Sequence, residues 1–142
     1  MSSEPGALYA QPAERVRILV VDDSPTSREL IVLILSRAGC VVESAASATD
    51  ALAILADRAF DMVLSDLWLG GAVGGLHLAR EVRRSWPRTG FILATGSESG
   101  VPAGGFKAFG VNAVLHKPFT PADLRRAVNL LVASGFGDRG RR

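Results

Sequence analysis

ILVVDDSPTS, residues 18–27, joins four apolar residues directly to two aspartates, a proline and hydroxyl side chains. The apolar run is typical of a β-strand buried on both faces. Pro25 suits the first turn of a helix, so the stretch predicts a strand followed at once by a helix. That order opens a parallel α/β unit. The adjacent Asp22 and Asp23 need a separate explanation, because neighbouring like charges repel and burial of either is costly unless something neutralises it.

The rest of the chain repeats this pattern. Runs rich in Val, Ile, Leu and Phe alternate with amphipathic segments that follow cap residues such as Ser47 and Thr120. Short connections between them predict one five-stranded parallel sheet with helices on both faces. The expected strands lie near residues 15–21, 40–45, 60–66, 90–95 and 111–117. The first, second, third and fifth helices are expected near 24–39, 47–60, 74–87 and 120–135, and the fourth between Thr95 and Val111.

One connection departs from the pattern. Between Thr95 and Val111 the sequence reads GSESGVPAGGFKAFG. Each glycine inside a helix costs roughly 1 kcal/mol relative to alanine, so the fourth helix is expected to be short and loosely held. In the third helix the 3.6-residue period assigns inward positions to Leu76, Ala79 and Val82.

Length and composition fit one ordered domain. The chain has 142 residues, 48% hydrophobic and 21% charged, which is enough to build a core. We expect a flexible leader over residues 1–14, a domain over 15–134 and a flexible basic tail over 135–142. The net charge of +2 is too small to indicate direct nucleic-acid binding. No apolar run is long enough for membrane insertion and no secretory signal is visible, so a cytoplasmic protein is expected.

Polar residues recur where the predicted strands end. Asp22 and Asp23 follow the first strand, Asp66 the third, Thr95 the fourth and Lys117 the fifth. Taken singly, each has a plain structural explanation: a helix cap, a turn residue, a β-branched strand residue or a solvated lysine. Structural caps have no reason to choose the same sheet edge every time, and ligands of open parallel sheets bind at that edge.

This set of residue types favours phosphoryl chemistry at a metal. Three carboxylates around one point suit a hard cation such as Mg²⁺. A carboxylate beside a metal can act as a nucleophile and form an aspartyl phosphate. A lysine and a hydroxyl would share the negative charge of the phosphoryl oxygens.

The sequence resembles the receiver domain of two-component response regulators. The resemblance spans about residues 15–134 and rests on VVDDSPTSRELI, DMVLSDLWLGG, GLHLAREVR, ILATGS and HKPFTPADLRRAV, in that order. It implies a flavodoxin-like doubly wound (βα)5 fold. The stretch DLWLGGAVGGLHLA is most similar to receivers that are attached to, or work with, hybrid histidine kinases.

The resemblance implies a role for each acid. Asp66 would be the phosphoacceptor, supplied by a histidine of a kinase or phosphotransfer protein. Asp22 and Asp23 would hold Mg²⁺ together with Asp66 and the backbone carbonyl of Trp68. From the position of Trp68 beside the acceptor, we further hypothesise that its bulk restricts the attacking water and slows loss of phosphate.

The resemblance also implies how the site responds to phosphorylation. Lys117 would pair with the acceptor and then with the phosphoryl group, and its bond to Pro118 would be cis. Thr95 would bond a phosphoryl oxygen and couple it to the fourth helix. Two departures stand out: Gly70 replaces the usual proline of its loop, and Val114 replaces the aromatic residue that completes the usual switch.

The leading interpretation is a stand-alone receiver that signals by phosphorylation-dependent contact with a downstream protein, through the fourth-helix and fifth-strand face. Residues past 134 are too few for an output domain. Val114 and Gly70 motivate an alternative, a phosphorylation-independent interaction module on the same fold. A nucleotide enzyme is disfavoured because no GxxxxGK[ST] or GxGxxG motif follows any strand, so the chain is not expected to be an enzyme in the classical sense.

Overall fold

A five-stranded parallel sheet forms the centre of the molecule. The computed structural model describes residues 15–69, 74–96 and 105–137. The strands run in the spatial order β2-β1-β3-β4-β5, and every adjacent pair is parallel, which confirms the predicted fold class. The strands are β1 Arg17–Val21, β2 Val41–Ala45, β3 Met62–Asp66, β4 Gly90–Thr95 and β5 Ala113–His116.

Three of the four α-helices begin at side-chain caps. Ser24, Ser47 and Thr120 are N-caps, and each hydroxyl accepts a hydrogen bond from the backbone N–H three residues on. Such a bond satisfies one of the N–H groups that a helix start leaves without an intrahelical partner. The helices are α1 Pro25–Arg37, α2 Ala48–Asp57, α3 Gly75–Ser85 and α4 Pro121–Ala133.

Two apolar layers hold these helices against the sheet. Side chains alternate along each strand, so Leu19 and Val21 of β1 face one layer, and Ile18 and Val20 face the other. Helices α2 and α3 cover the first layer, while α1 and α4 cover the second. The central strands are therefore buried on both faces, which explains their continuous apolar sequence.

Burial along α3 differs at one position from the sequence prediction. Ala79 and Val82 are buried as predicted, but the buried leucine is Leu78, and Leu76 is only half-buried. Gly75, Leu78, Ala79 and Val82 follow the i, i+3, i+4, i+7 spacing of a single helix face, and Leu76 lies beside it.

The structure describes part of the connection from β4 to β5. In its described residues, 105–112, a 3-10 helix at Phe106–Phe109 stands where a short fourth helix was predicted. Gly105 and Gly110 bracket it with φ values of 81° and 89°, a conformation that favours glycine. Residues 97–104 lie outside the described part.

The described chain continues past α4 to Gly137. Phe136 packs against the layer between the sheet and helices α1 and α4, so side-chain packing extends beyond the predicted domain boundary at residue 134. The predicted leader at 1–14, Gly70 and residues 138–142 lie outside the described residues. Within the described ranges, no helix combines the length and apolar character needed to cross a membrane.

Candidate functional site

The strand ends bring three carboxylates and one ammonium group together. Asp22 and Asp23 follow β1, Asp66 ends β3, and each offers a carboxylate oxygen within 4.8 Å of the others. The Lys117 Nζ atom, just after β5, lies 3.2 Å from Asp66 Oδ2. These residues are far apart in sequence and meet because parallel strands end at the same edge.

Asp22 is held in place by several hydrogen bonds. Its side chain is buried, and its Oδ1 atom accepts the backbone N–H of Ser24 at 2.9 Å. Its own N–H donates to the Ala45 carbonyl at 3.2 Å. Arg28 Nη1 donates to its carbonyl at 2.7 Å. Sequence reasoning missed Arg28, because a contact with a backbone oxygen leaves no motif.

Asp66 is intermediate in exposure between the buried Asp22 and the exposed Asp23. Its side chain is 15% exposed and that of Lys117 is 33% exposed, so the pair is shielded but open to a reagent from solvent. Thr95 is buried at the end of β4, and its carbonyl accepts the Lys117 N–H at 2.8 Å. The Lys117–Pro118 peptide bond is cis.

The start of α3 lies directly against the end of β3. The Gly75 N–H donates to the Leu67 carbonyl at 3.0 Å. A Cβ atom at position 75 would collide with the backbone carbonyl of Asp66. Gly75 therefore permits the close approach that fixes the backbone of Asp66, a requirement that the glycine pair before α3 signals only weakly in the sequence.

The donor set fits a hard divalent cation. Carboxylate oxygens are the protein ligands that Mg²⁺ uses, completed by water. Three acids so close together repel one another, and a bound cation offsets that repulsion. The Lys117 ammonium, at 3.2 Å from Asp66, also supplies part of the compensation.

Comparison with known families agrees with this geometry. The family model for the response regulator receiver domain matches residues 18–129. The chain belongs to this family. Receiver domains are the phosphorylated signalling domains of two-component systems, they bind Mg²⁺ at an acidic pocket, and response regulators partner with histidine kinases.

The receiver domain is similar to several curated regulators. It is 38% identical over 122 residues to the transcriptional regulatory protein AruR of Pseudomonas aeruginosa, covering 81% of this chain and 49% of that one. It is 30% identical over 105 residues to a putative NtrX-like response regulator of Rickettsia bellii, covering 73% and 22%. The chain thus spans between about a fifth and about half of the curated relatives it first matches.

Two solved structures match over nearly their whole length. The receiver domain of NtrX from Brucella abortus superposes with a TM-score of 0.77 at 31% identity, covering 83% of this chain and 99% of that one. The chemotaxis response regulator CheY4 of Vibrio cholerae gives 0.76 at 29% identity, covering 82% and 98%. The flavodoxin-like fold named in the sequence analysis is confirmed.

Two positions of this receiver domain bear on its expected behaviour. Trp68 is 63% exposed, between the buried Leu67 and Leu69, so its indole lies at the surface two residues from Asp66. Val114, in β5, is half-buried and packs against the layer that α2 and α3 cover. Val114, the departure from the family pattern that the sequence shows, therefore places an aliphatic side chain where the family usually has an aromatic ring.

Proposed function

We propose that this receiver domain accepts a phosphoryl group on Asp66 from a histidine kinase or a histidine phosphotransfer protein, in a reaction that needs Mg²⁺. It then signals by phosphorylation-dependent contact with a downstream protein. The observation that carries the proposal is the setting of Asp66, 15% exposed, with Lys117 Nζ at 3.2 Å and carboxylates of Asp22 and Asp23 within 4.8 Å.

The proposed reaction is an in-line phosphoryl transfer. One carboxylate oxygen of Asp66 forms a bond to phosphorus while the bond between phosphorus and the donor imidazole nitrogen breaks, and the electron pair of that bond returns to the ring. Mg²⁺, held by Asp22, Asp23, Asp66 and the Trp68 carbonyl, would neutralise charge on the phosphoryl oxygens.

The remaining site residues would hold the transferred group. The Lys117 ammonium already lies at contact distance from Asp66, so it can move from the carboxylate to a phosphoryl oxygen with little rearrangement. The Thr95 hydroxyl is proposed to bond a second phosphoryl oxygen. Because Thr95 ends β4, a shift of its side chain toward the phosphoryl group would alter the β4–β5 connection that follows it.

A groove beside the site suits the phosphodonor protein. It has a volume of about 710 Å³ and runs from Lys117 and Phe119 along α1. Leu30 and Leu33 on α1 are 56% and 47% exposed, an apolar surface that favours a protein contact. Because the donor histidine must reach Asp66, its carrier has to cover this side of the site.

A comparison of two phosphodonors distinguishes phosphorylation of Asp66 from docking of the donor protein on α1. Acetyl phosphate carries the same group without a protein, so Leu30→Asp/Leu33→Asp should leave labelling by acetyl phosphate unchanged. Transfer from a histidine-phosphorylated kinase should fall about tenfold or more in the same variant. Equal loss with both donors would contradict the docking proposal, and absence of acetyl phosphate labelling in the wild type would contradict the proposed function.

A phosphorylation-independent interaction module is the second candidate. The half-buried Val114 favours it, because no aromatic ring at that position can change burial in response to Thr95. Such a module would hold its partner equally well with Asp66 free, phosphorylated or replaced by Asn. A partner affinity that changes on phosphorylation would exclude it.

A further inference from the structure

A basic patch covers the outer face of α3, the turn after it and the neighbouring 3-10 helix. All its members are exposed: Arg80, Arg83, Arg84, Arg88 and Lys107. Arg84 pairs with Glu81 at 3.8 Å. Among the described residues, no carboxylate lies within ion-pair distance of the other four. The patch therefore carries positive charge that the described part of the chain does not neutralise.

A pocket of about 280 Å³ opens within this patch. Its lining combines two cations with apolar surface and polar groups: Arg83, Lys107, Pro87, Val111, Phe136, Thr89 and Asn112. Thr89 precedes β4 and Asn112 precedes β5, so the pocket lies where these strands start. The acid cluster lies at the opposite edge, where they end.

The Asn112 amide is a hydrogen-bond donor toward the pocket, whereas the Thr89 hydroxyl already donates its proton to the Phe60 carbonyl at 3.0 Å. The Asn112 Oδ1 atom accepts the Phe91 N–H at 2.8 Å, and the Asn112 N–H donates to the Phe91 carbonyl at 2.8 Å. Because the acceptor oxygen of the amide is already used, the amide offers its NH₂ group. Together with a guanidinium and an ammonium, this set favours a ligand with negatively charged oxygens.

The stem of Arg83 is held in place by Gly110. Its Cβ and Cδ atoms lie 2.8 and 2.9 Å from where a Cβ atom at position 110 would be, and Gly110 has a φ of 89°. Both facts demand glycine there. A packed stem reduces the conformational entropy that the guanidinium loses when it binds a ligand.

We infer that this pocket is the docking point for an acidic, partly apolar segment of a partner protein, with Arg83 and Lys107 binding one of its carboxylates. If that partner is the downstream protein of the proposed signalling, this inference rests on the proposed function. The apolar lining from Pro87, Val111 and Phe136 favours a peptide over a nucleic acid, since a phosphodiester backbone has no apolar group to fill it. Arginine-rich surfaces with apolar centres are typical of protein interfaces.

A model peptide tests the inference on the full chain. The probe is fluorescein-labelled Glu-Leu-Asp-Glu-Phe-Glu-Leu, with a matched peptide in which every acid is replaced by its amide. Fluorescence anisotropy should show saturable binding of the acidic peptide with a Kd below about 1 mM. Arg83→Gln/Lys107→Gln should weaken it about tenfold or more. The control is Arg125→Gln/Arg126→Gln, which removes the same amount of charge from α4. This variant should change the affinity for the acidic peptide less than about twofold.

The outcomes separate this inference from the proposed function. Equal weakening in both double variants, equal binding of the amide peptide, or no binding would overturn the docking site. Stronger binding of a duplex oligonucleotide or of phosphatidylglycerol vesicles through Arg83 and Lys107 would overturn the choice of partner. Acetyl phosphate labelling of Asp66 should be unchanged in Arg83→Gln/Lys107→Gln. Loss of labelling therefore bears on the proposed function, and loss of peptide binding bears on the docking site.

Discussion

The Lys117 Nζ atom lies 3.2 Å from Asp66 Oδ2, and two further carboxylates lie within 4.8 Å of that acid. Lys117 thus lies among three carboxylates, and the Arg28 Nη1 atom donates to the Asp22 carbonyl at 2.7 Å beside them. Three carboxylates so close together would attract a divalent cation, and Lys117 would then compete with that cation as well as pair with Asp66.

Replacement of Lys117 by Gln should therefore tighten Mg²⁺ binding while it slows phosphorylation. Removing a positive charge near the cation lowers the repulsion the cation meets, and we expect about threefold to tenfold higher affinity. Isothermal titration calorimetry with Mg²⁺ measures the affinity. Arg126→Gln, which removes a charge on α4, is the control. Unchanged or weaker Mg²⁺ affinity in Lys117→Gln would contradict this account of the cluster.

Replacement of Gly75 by Ala should destabilise the domain, although alanine normally stabilises a helix relative to glycine. The added Cβ would collide with the Asp66 backbone, and we expect a loss of roughly 1–3 kcal/mol in the free energy of unfolding. Gly74→Ala is the matched control, because a Cβ there would lie 3.7 Å from the Leu67 carbonyl oxygen, an ordinary contact. Urea denaturation compares the two, and equal stability would refute the close approach.

Replacement of Trp68 by Asn should speed the loss of phosphate. The indole is 63% exposed and two residues from the acceptor, and we expect its removal to give water easier access to the aspartyl phosphate. Trp68→Phe keeps a ring at the same place and is the control, expected to stay near the wild-type rate. The decay of phosphorylated protein measures the rate. An unchanged rate in Trp68→Asn would remove the hypothesis.

The cap of α4 should make stability depend on pH in the acid range. The Thr120 N–H and hydroxyl, and then Arg126, hold the pKa of Asp123 below its usual range. A lowered pKa in the folded state stabilises the fold at neutral pH, and that contribution is lost as pH falls through the folded-state value. Asp123→Asn should thus be less stable than wild type at pH 7 and equal to it at low pH. A destabilisation of constant size at every pH would contradict this.

Cys40 should be unreactive in the folded protein. It is buried, and burial raises the pKa of its thiol to about 12. The thiolate is the nucleophile, so reaction with a disulfide reagent near pH 8 should follow unfolding and speed up with urea. Fast reaction without denaturant would show that the core around Cys40 is open.

The sequence predicts the acid cluster because that cluster follows from topology. Once a parallel sheet is inferred from the strand-and-helix order, Asp22, Asp66 and Lys117 must lie at one edge, whatever the details of packing. The N-caps of α1, α2 and α4 can also be predicted from the sequence, because each cap hydrogen bond joins two residues that are three positions apart.

Contacts between distant elements could not be read in the same way. The hydrogen bond from Arg28 to the Asp22 carbonyl, the approach of Gly75 to Asp66 and the stem of Arg83 against Gly110 each depend on how two elements pack. No pattern along a single segment carries that information. Leu78 of α3 was missed for a related reason, since the start of the helix decides which leucine lies on the fully buried face; the half-buried Leu76 also packs against the same layer.

Labelling with acetyl phosphate, with Mg²⁺ or with a chelator, on wild type and on Asp66→Ala, tests the central claim most directly. We predict one covalent phosphoryl group per chain in wild type with Mg²⁺, and none when either the metal or the Asp66 carboxylate is removed. Circular dichroism of the variant would show that the fold persists. Labelling that survives in Asp66→Ala, or that does not need Mg²⁺, would contradict the assignment of Asp66 as the phosphoacceptor of a metal-dependent receiver.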